Sequence, residues 1–387
     1  VTASDDKIAQ DIGAHLKLFD EVHGSNGTKN LKGESKAHFL IEKYGDKQFS
    51  YMGDSRADLA VWKHAKRAIT VNVSEAIRKR AAQMADDIEH LSTHKPTVGA
   101  YLKAIRPHQW MKNTLVFLPM LAAHQIDGAS FIASLLAFSA FSLVASSVYV
   151  LNDLLDLNAD RAHPRKRTRP FAAGSIPIAS GAWMAAGLLA MGVVVALFLG
   201  SAFFGVMVGY YTLTTGYSLY LKRRIAVDII VLAGLYTVRI VAGGAATGIP
   251  LSVWLIEFSI FIFLSLAAIK RQAELINNVK QDKLKVPGRG YYEDDLPIIS
   301  MISISAGYVA VLIMALYVKS PAVMELYAFP EVIWGICAIL LYWITRTTML
   351  TQRGQMHDDP VVYAAKDRLS QVFLLIIMVF VFVEAFL

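Results

Sequence analysis

The chain has 387 residues, a formal charge of +7, 55% hydrophobic residues and a mean hydropathy of +0.43. That composition is too apolar for an ordinary soluble or disordered protein. The single cysteine, Cys337, excludes an intrachain disulfide and reads as a small packing residue within an apolar span.

Residues 1–96 are polar and mixed, whereas 97–387 alternates apolar spans with short polar links. The expected fold is therefore mainly α: a polytopic membrane bundle preceded by a small soluble α/β domain. Within the first part, local patterning predicts strands over 48–52 and 68–73 and a helix over 58–65. The chain opens on Val, which reads as the loss of an upstream portion, and no signal peptide is visible.

An amphipathic approach, Tyr101 to Asn113, brings Trp110 and Lys112 to an interface. About nine spans follow, over 113–126, 129–157, 176–199, 201–221, 225–247, 250–278, 297–319, 327–349 and 369–387. Cations collect in every second link: Arg165 to Arg169, Lys222 to Arg224, Lys270 to Arg289 and Arg346 to Arg368. The positive-inside rule places these links and the soluble domain in the cytoplasm, with the C-terminus outside a cell membrane. The net positive charge is this topological signal, so no nucleic-acid partner is needed.

At the end of the second span lies NDLLDLNADRAHPRKRTRP, residues 152–170, with three carboxylates beside five cations. On a helix, Asn152, Asp156 and Asp160 recur every four residues with Asp153 flanking, so all four are expected on one face. Orientation alone needs no such stack of acids in a bilayer. Carboxylates hold magnesium and magnesium holds diphosphate, so Asp153, Asp156 and Asp160 are candidate metal ligands, with Asn152 orienting metal or phosphate. Arg161, Lys166, Arg167 and Arg169 are candidate phosphate clamps. His163 is either a further phosphate contact or an exposed residue before Pro164.

Further polar groups interrupt later spans. Tyr217 and Lys222 end the fourth span, with Asp228 opening the next, and Arg239 lies within the fifth, where an arginine is expected to face a polar cavity. Gly243 and Gly244 read as a close-packing pair. Lys270, Arg271 and Glu274 end the sixth span; Lys270 and Glu274, four apart, also fit an ordinary helix ion pair. Lys112, Tyr217, Lys222, Arg239, Lys270, Arg271 and Glu274 complete the candidate substrate-binding set.

The NDxxDxxxD pattern in such a chain resembles the UbiA superfamily of intramembrane prenyltransferases. The longer acidic string, RPHQWMKN before it, and YTVRIVAGGAATGIPLSVW and KRQAEL after it are similar to one branch, decaprenyl-phosphate phosphoribosyltransferase (5-phosphoribosyl-monophospho-decaprenol synthase). The resemblance runs from about Tyr101 to Leu387. It implies magnesium-dependent transfer of 5-phosphoribose from 5-phosphoribosyl diphosphate to a polyprenyl phosphate, releasing diphosphate, as in making an arabinan precursor for a cell wall. Most of the superfamily carries a second Asp-rich motif where this chain has Lys270, Arg271 and Glu274. Cations there suit a donor bearing a further phosphate. Glu293, Asp294 and Asp295 read instead as the start of the seventh helix.

Thr2 to Ser4, Lys32 to Lys36 and Tyr51-Met-Gly-Asp54-Ser-Arg-Ala-Asp58 are similar to the later motifs of haloacid dehalogenase-like phosphatases. That resemblance implies a second magnesium site at Asp54 and Asp58. The nucleophile motif DxDxT is absent, so this part is not expected to hydrolyse phosphate as it stands. A complete protein would couple transfer to removal of the 5-phosphate. Two other readings stay open: a prenyltransferase moving a polyprenyl chain from its diphosphate to an aromatic acceptor, and a non-enzymatic lipid-phosphate binding or transport protein. Oligomerisation is left open by the sequence.

Overall fold

The computed structural model describes residues 1–91, 96–279, 289–321, 323, 329, 331–356 and 359–386, with side chains to 380. Residues 327, 328 and 330 of the predicted 327–349 span, residue 387 of the last span, and stretches 280–288 and 357–358 of two basic links lie outside these. The chain forms two compact units, Val1–Lys95 and Pro96–Leu387.

In the first unit, three short strands, β1 (Ser50–Gly53), β2 (Arg67–Val71) and β3 (Asp87–Leu91), pair in parallel in that order. Ser50 lies opposite Arg67, and Arg67 opposite Asp87. Parallel pairing requires crossovers, supplied by Arg56–Trp62 and by the Glu75–Ala82 helix. Trp62, fully buried, packs beside Ala68, Val73, Ala81 and Ala85, and its indole N–H donates to the Tyr51 carbonyl at 3.2 Å. The predicted strands and helix fall on β1, β2 and the first crossover. β3, whose sequence Asp-Ile-Glu-His-Leu has little apolar content, lacked a strand signal.

The second unit is helical. Among the described residues, six helices are long and apolar enough to cross a bilayer: Gly128–Leu155, Ile178–Phe198, Val227–Thr247, Val253–Val279, Glu293–Tyr317 and Val332–Gln352. The other three predicted spans differ from that standard. Residues 113–126 are not one helix: a 3-10 stretch, Pro107–Phe117, hands over to a short Leu118–Ala122 turn that stops at left-handed His124. Pro119 sits in the first turn of that short helix, where a missing N–H is tolerated and a new helix starts, and buried Lys112 and Asn113 make the segment polar inside. Ser201–Leu219 is a 19-residue helix, but Tyr210, Tyr211, Thr212, Thr214 and Thr215 dilute its apolar character. Arg368–Phe386 is helical, with its described apolar stretch at Arg368–Phe380.

Small residues let these helices approach, since lipid supplies no hydrophobic drive between them. Ser134, Ser142, Ser146 and Ser147 are buried along Gly128–Leu155, and Ser147 donates to the Ala185 carbonyl at 2.7 Å. A Cβ on Gly243 would stand 2.1 Å from the Val116 carbonyl oxygen. That glycine therefore admits the 3-10 segment against Val227–Thr247.

Candidate active site

Asp156 closes the Gly128–Leu155 helix and opens the short Leu157–Ala162 helix, at φ −91° and ψ 12°. The bend divides the acidic motif. Asp153 and Asp160, each 2% exposed, meet on one guanidinium nitrogen of Arg169, at 3.1 and 2.6 Å. Arg106 also donates to Asp153, and the Lys166 ammonium lies 3.9 Å from Asp160. Asp156 stays exposed, and Asn152 donates to Ser218 at 3.0 Å. The expectation of one common face for all four is thus corrected. Buried carboxylates need partners, and the arginines draw Asp153 and Asp160 together while Asp156 faces outward.

The remaining motif cations are more open. Arg161 and Arg167 are exposed. His163 Nδ1 accepts the backbone N–H groups of Arg165 and Lys166, at 3.2 and 3.3 Å, and so shapes the turn. Burial pushes the Lys222 ammonium below its ordinary pKa, against the opposing pull of the Asp156 carboxylate. Lys222 and Asp156 therefore share one electrostatic neighbourhood.

A second cluster centres on Asp228, fully buried at the start of Val227–Thr247. Arg271 binds it from Val253–Val279, Arg289 at 2.7 Å and Tyr217 at 2.8 Å. Arg271 also reaches Glu274 at 2.6 Å and Tyr217 at 2.7 Å. Two arginines thus face two carboxylates, a balanced set.

The third cluster joins distant parts of the chain. The Lys112 and Lys270 ammonium groups both donate to Asp359 Oδ2, each at 2.7 Å. Tyr236 OH lies 3.4 Å from both oxygens of that carboxylate. Burial raises the Asp359 pKa, but Lys270 and Lys112 together hold it well below the usual carboxylate range. Lys270 does not make the helix pair with Glu274; Glu274 instead takes Arg271. Arg239, 5% exposed, donates to Asn113 at 2.8 Å, Tyr210 at 3.2 Å and the Leu235 carbonyl. Its charge is held by neutral groups rather than exposed in an open cavity.

Arg106, Asp228, Arg289, Asp359 and Tyr236 are among the site residues missing from the sequence-based set. Arg106 stood within the amphipathic approach and Asp228 beside Tyr217, so both carried a signal. Asp359 lay in a link read for its cations, and nothing local distinguished it.

In the first unit, Asp58 accepts Ser55 N, Ser55 Oγ, Asp54 N and Tyr51 OH at 2.7–3.2 Å. Lys36 donates to Tyr51 OH at 2.9 Å and lies 3.7 Å from Asp58. Both Asp58 oxygens are engaged, and Asp54 is exposed beside them. Among the described residues, no three His, Cys, Asp or Glu side chains group as a metal set in either unit. In the acidic motif the donor chemistry nevertheless suits a hard divalent cation. Asp153 Oδ2 is buried without a hydrogen-bond partner, and Asp156 is open.

Residues 113–366 match the UbiA prenyltransferase family model. The uncharacterized protein y4nM of Sinorhizobium fredii is 36% identical over 373 residues, 96% of this chain and 72% of that one. The decaprenyl-phosphate phosphoribosyltransferase of Mycolicibacterium smegmatis is 41% identical over 206 residues, 49% of this chain and 64% of that enzyme. A UbiA homolog from Archaeoglobus fulgidus, solved with GPP and Mg2+, shares the fold at a TM-score of 0.55 and 15% identity, over 73% of this chain and 99% of that one. From residue 113 to 366, over a multi-pass helical bundle, the chain belongs to the UbiA prenyltransferase family.

Proposed function

We propose that this transferase moves 5-phosphoribose from 5-phosphoribosyl diphosphate to a polyprenyl phosphate in the membrane, releasing diphosphate. The observation that carries the reading is the end of Val253–Val279. There Lys270 meets Lys112, and Arg271 is engaged with Asp228, in place of a second acidic wall. The likeness to decaprenyl-phosphate phosphoribosyltransferases supports it.

Asp153, Asp156 and Asp160 would hold magnesium, which supplies charge neutralisation to the leaving diphosphate. Arg106, Arg169 and Lys166 already surround two of these carboxylates, so they stand within reach of phosphate oxygens at the same place. The lipid phosphate is an anion at neutral pH. Its oxygen forms the new bond to C1 of ribose as the C1–O bond to diphosphate breaks, and no strong general base is needed. Catalysis then rests on alignment and on cations placed where charge develops. The site faces the cytoplasm in this reading, and the polyprenyl tail lies among lipid-facing helices. The first unit is read as a haloacid dehalogenase-like partner of the transfer step.

The test is transfer of labelled phosphoribose into organic-extractable polyprenyl phosphate. A labelled lipid that disappears on chelation and in Asp156→Asn supports the proposal. A folded, magnesium-replete sample that yields none moves the assignment to prenyl transfer onto an aromatic acceptor.

A further inference from the structure

The three ion clusters differ in charge balance. Around Asp228, two arginines face two carboxylates. Around Asp359, Lys112 and Lys270 face one carboxylate, with side chains 10%, 26% and 9% exposed. Arg239 adds a third cation next door: its guanidinium lies 5.7 Å from the Tyr236 ring centroid, and Lys112 lies 5.5 Å from the same ring. A partly desolvated surplus of positive charge is costly unless an anion shares it. Both ammonium groups and the Tyr236 hydroxyl already converge on one carboxylate, which is how a phosphate oxygen is held.

We propose that Lys112, Lys270 and Tyr236 form the seat of a phosphoryl group, and that Asp359 is a built-in anion competing with the ligand for it. This rests on the transferase reading above and narrows it. Among the clustered cations, this set holds one substrate phosphate, whereas Arg271 and Arg289 form scaffold. The ligand class is a phosphomonoester, carried either by the sugar or by the lipid. Asp359 is suited to yield: its other oxygen accepts the backbone N–H of Val361, at 3.1 Å, and a long contact from Tyr236 OH, at 3.4 Å, and an asparagine can keep the cap.

The experiment is equilibrium binding to the full chain in nanodiscs of neutral lipid, with chelator present so that the acidic motif adds no metal-held phosphate. The probes are ribose 5-phosphate and a short-chain polyprenyl phosphate. Lys270→Gln should weaken one probe about tenfold, as expected for losing a charged hydrogen bond. Asp359→Asn should strengthen the same probe, by roughly threefold or more, because a competitor is gone. The responding probe assigns the seat to the sugar phosphate or to the lipid phosphate.

Binding of neither probe, or no change with Lys270→Gln, overturns the proposal. So does Asp359→Asn weakening the probe as Lys270→Gln does, since Asp359 would then be a brace. Melting curves accompany each variant. If Lys270→Gln fails to fold, Lys270→Arg with Asp359→Asn carries the test: retained binding in the first and gain in the second support the seat, and any other pair of results removes it. Absence of phosphoribosyl transfer alongside Lys270-dependent phosphate binding removes the transferase reading and keeps the seat. Transfer alongside Lys270-independent binding does the reverse.

Discussion

Arg271, about two turns before the end of Val253–Val279, and Asp228, in the first turn of Val227–Thr247, form an ion pair that is at most 1% exposed on either side chain. Breaking one member strands the other in a medium that cannot solvate it, at a cost of about 3–5 kcal/mol. Arg271→Ala is therefore expected to unfold at much lower denaturant or temperature in detergent than the parent chain. Asp228→Leu with Arg271→Met should recover most of that loss, because an apolar pair leaves no charge behind. If Arg271→Ala keeps its stability and only raises a substrate KM, Arg271 is a ligand residue rather than scaffold.

Asp153 and Asp156 are three residues apart and face different surroundings. Asp156→Asn removes an exposed carboxylate, so stability should change by no more than about 0.5 kcal/mol while turnover is abolished. Asp153→Asn should lose turnover and stability together, since Arg106 and Arg169 both lose an ionised partner. Thermal unfolding beside labelled-lipid formation separates the two. Full activity in Asp156→Asn would end its assignment to the metal.

Much of this was legible before the structure, and the limits are physical. Long apolar runs such as Ile178–Phe198 identify themselves, because a bilayer demands about 20 apolar residues. The 113–126 segment was misread because hydropathy records apolar content and not backbone geometry, which changes from 3-10 to helix at Leu118. The acidic motif was found by composition, but its helix register could not foresee the bend at Asp156, which depends on where Arg106 and Arg169 stand. Asp359 reaches Lys270 across 89 positions and Lys112 across 247. No spacing rule spans such distances. On spacing alone, the one partner open to Lys270 was Glu274, its neighbour on the helix.

Gly243 and Gly187 offer a matched pair for the packing argument. A Cβ on Gly243 meets the Val116 carbonyl oxygen at 2.1 Å, a backbone atom that cannot rotate away. Gly187, within Ile178–Phe198, has nothing within 4 Å of its added Cβ. Gly243→Ala should lower stability by about 1–3 kcal/mol and also disturb Lys112 on the displaced segment. Gly187→Ala should be neutral or slightly stabilising, since alanine favours helix. Equal melting temperatures for the two variants would show that the Pro107–Phe117 segment does not press on Gly243.

Asp367 gives a pH signature away from the site. Burial raises its pKa, but Arg346 grips both oxygens at 2.9 and 3.1 Å, and Ser370 donates at 3.0 and 2.7 Å, holding it down at about 2. An unfolded aspartate titrates near ~3.9. The folded pKa is the lower one, so the carboxylate's contribution is complete above about pH 4 and is lost as pH falls through about 2. The shift corresponds to about 2 kcal/mol at neutral pH. Asp367→Asn should therefore be less stable than the parent chain at pH 6, with the gap closing steadily between about pH 4 and pH 2. Parallel unfolding curves for the two chains across that range test it. A gap that stays constant to about pH 2 would mean that Arg346 is held by something other than the Asp367 charge.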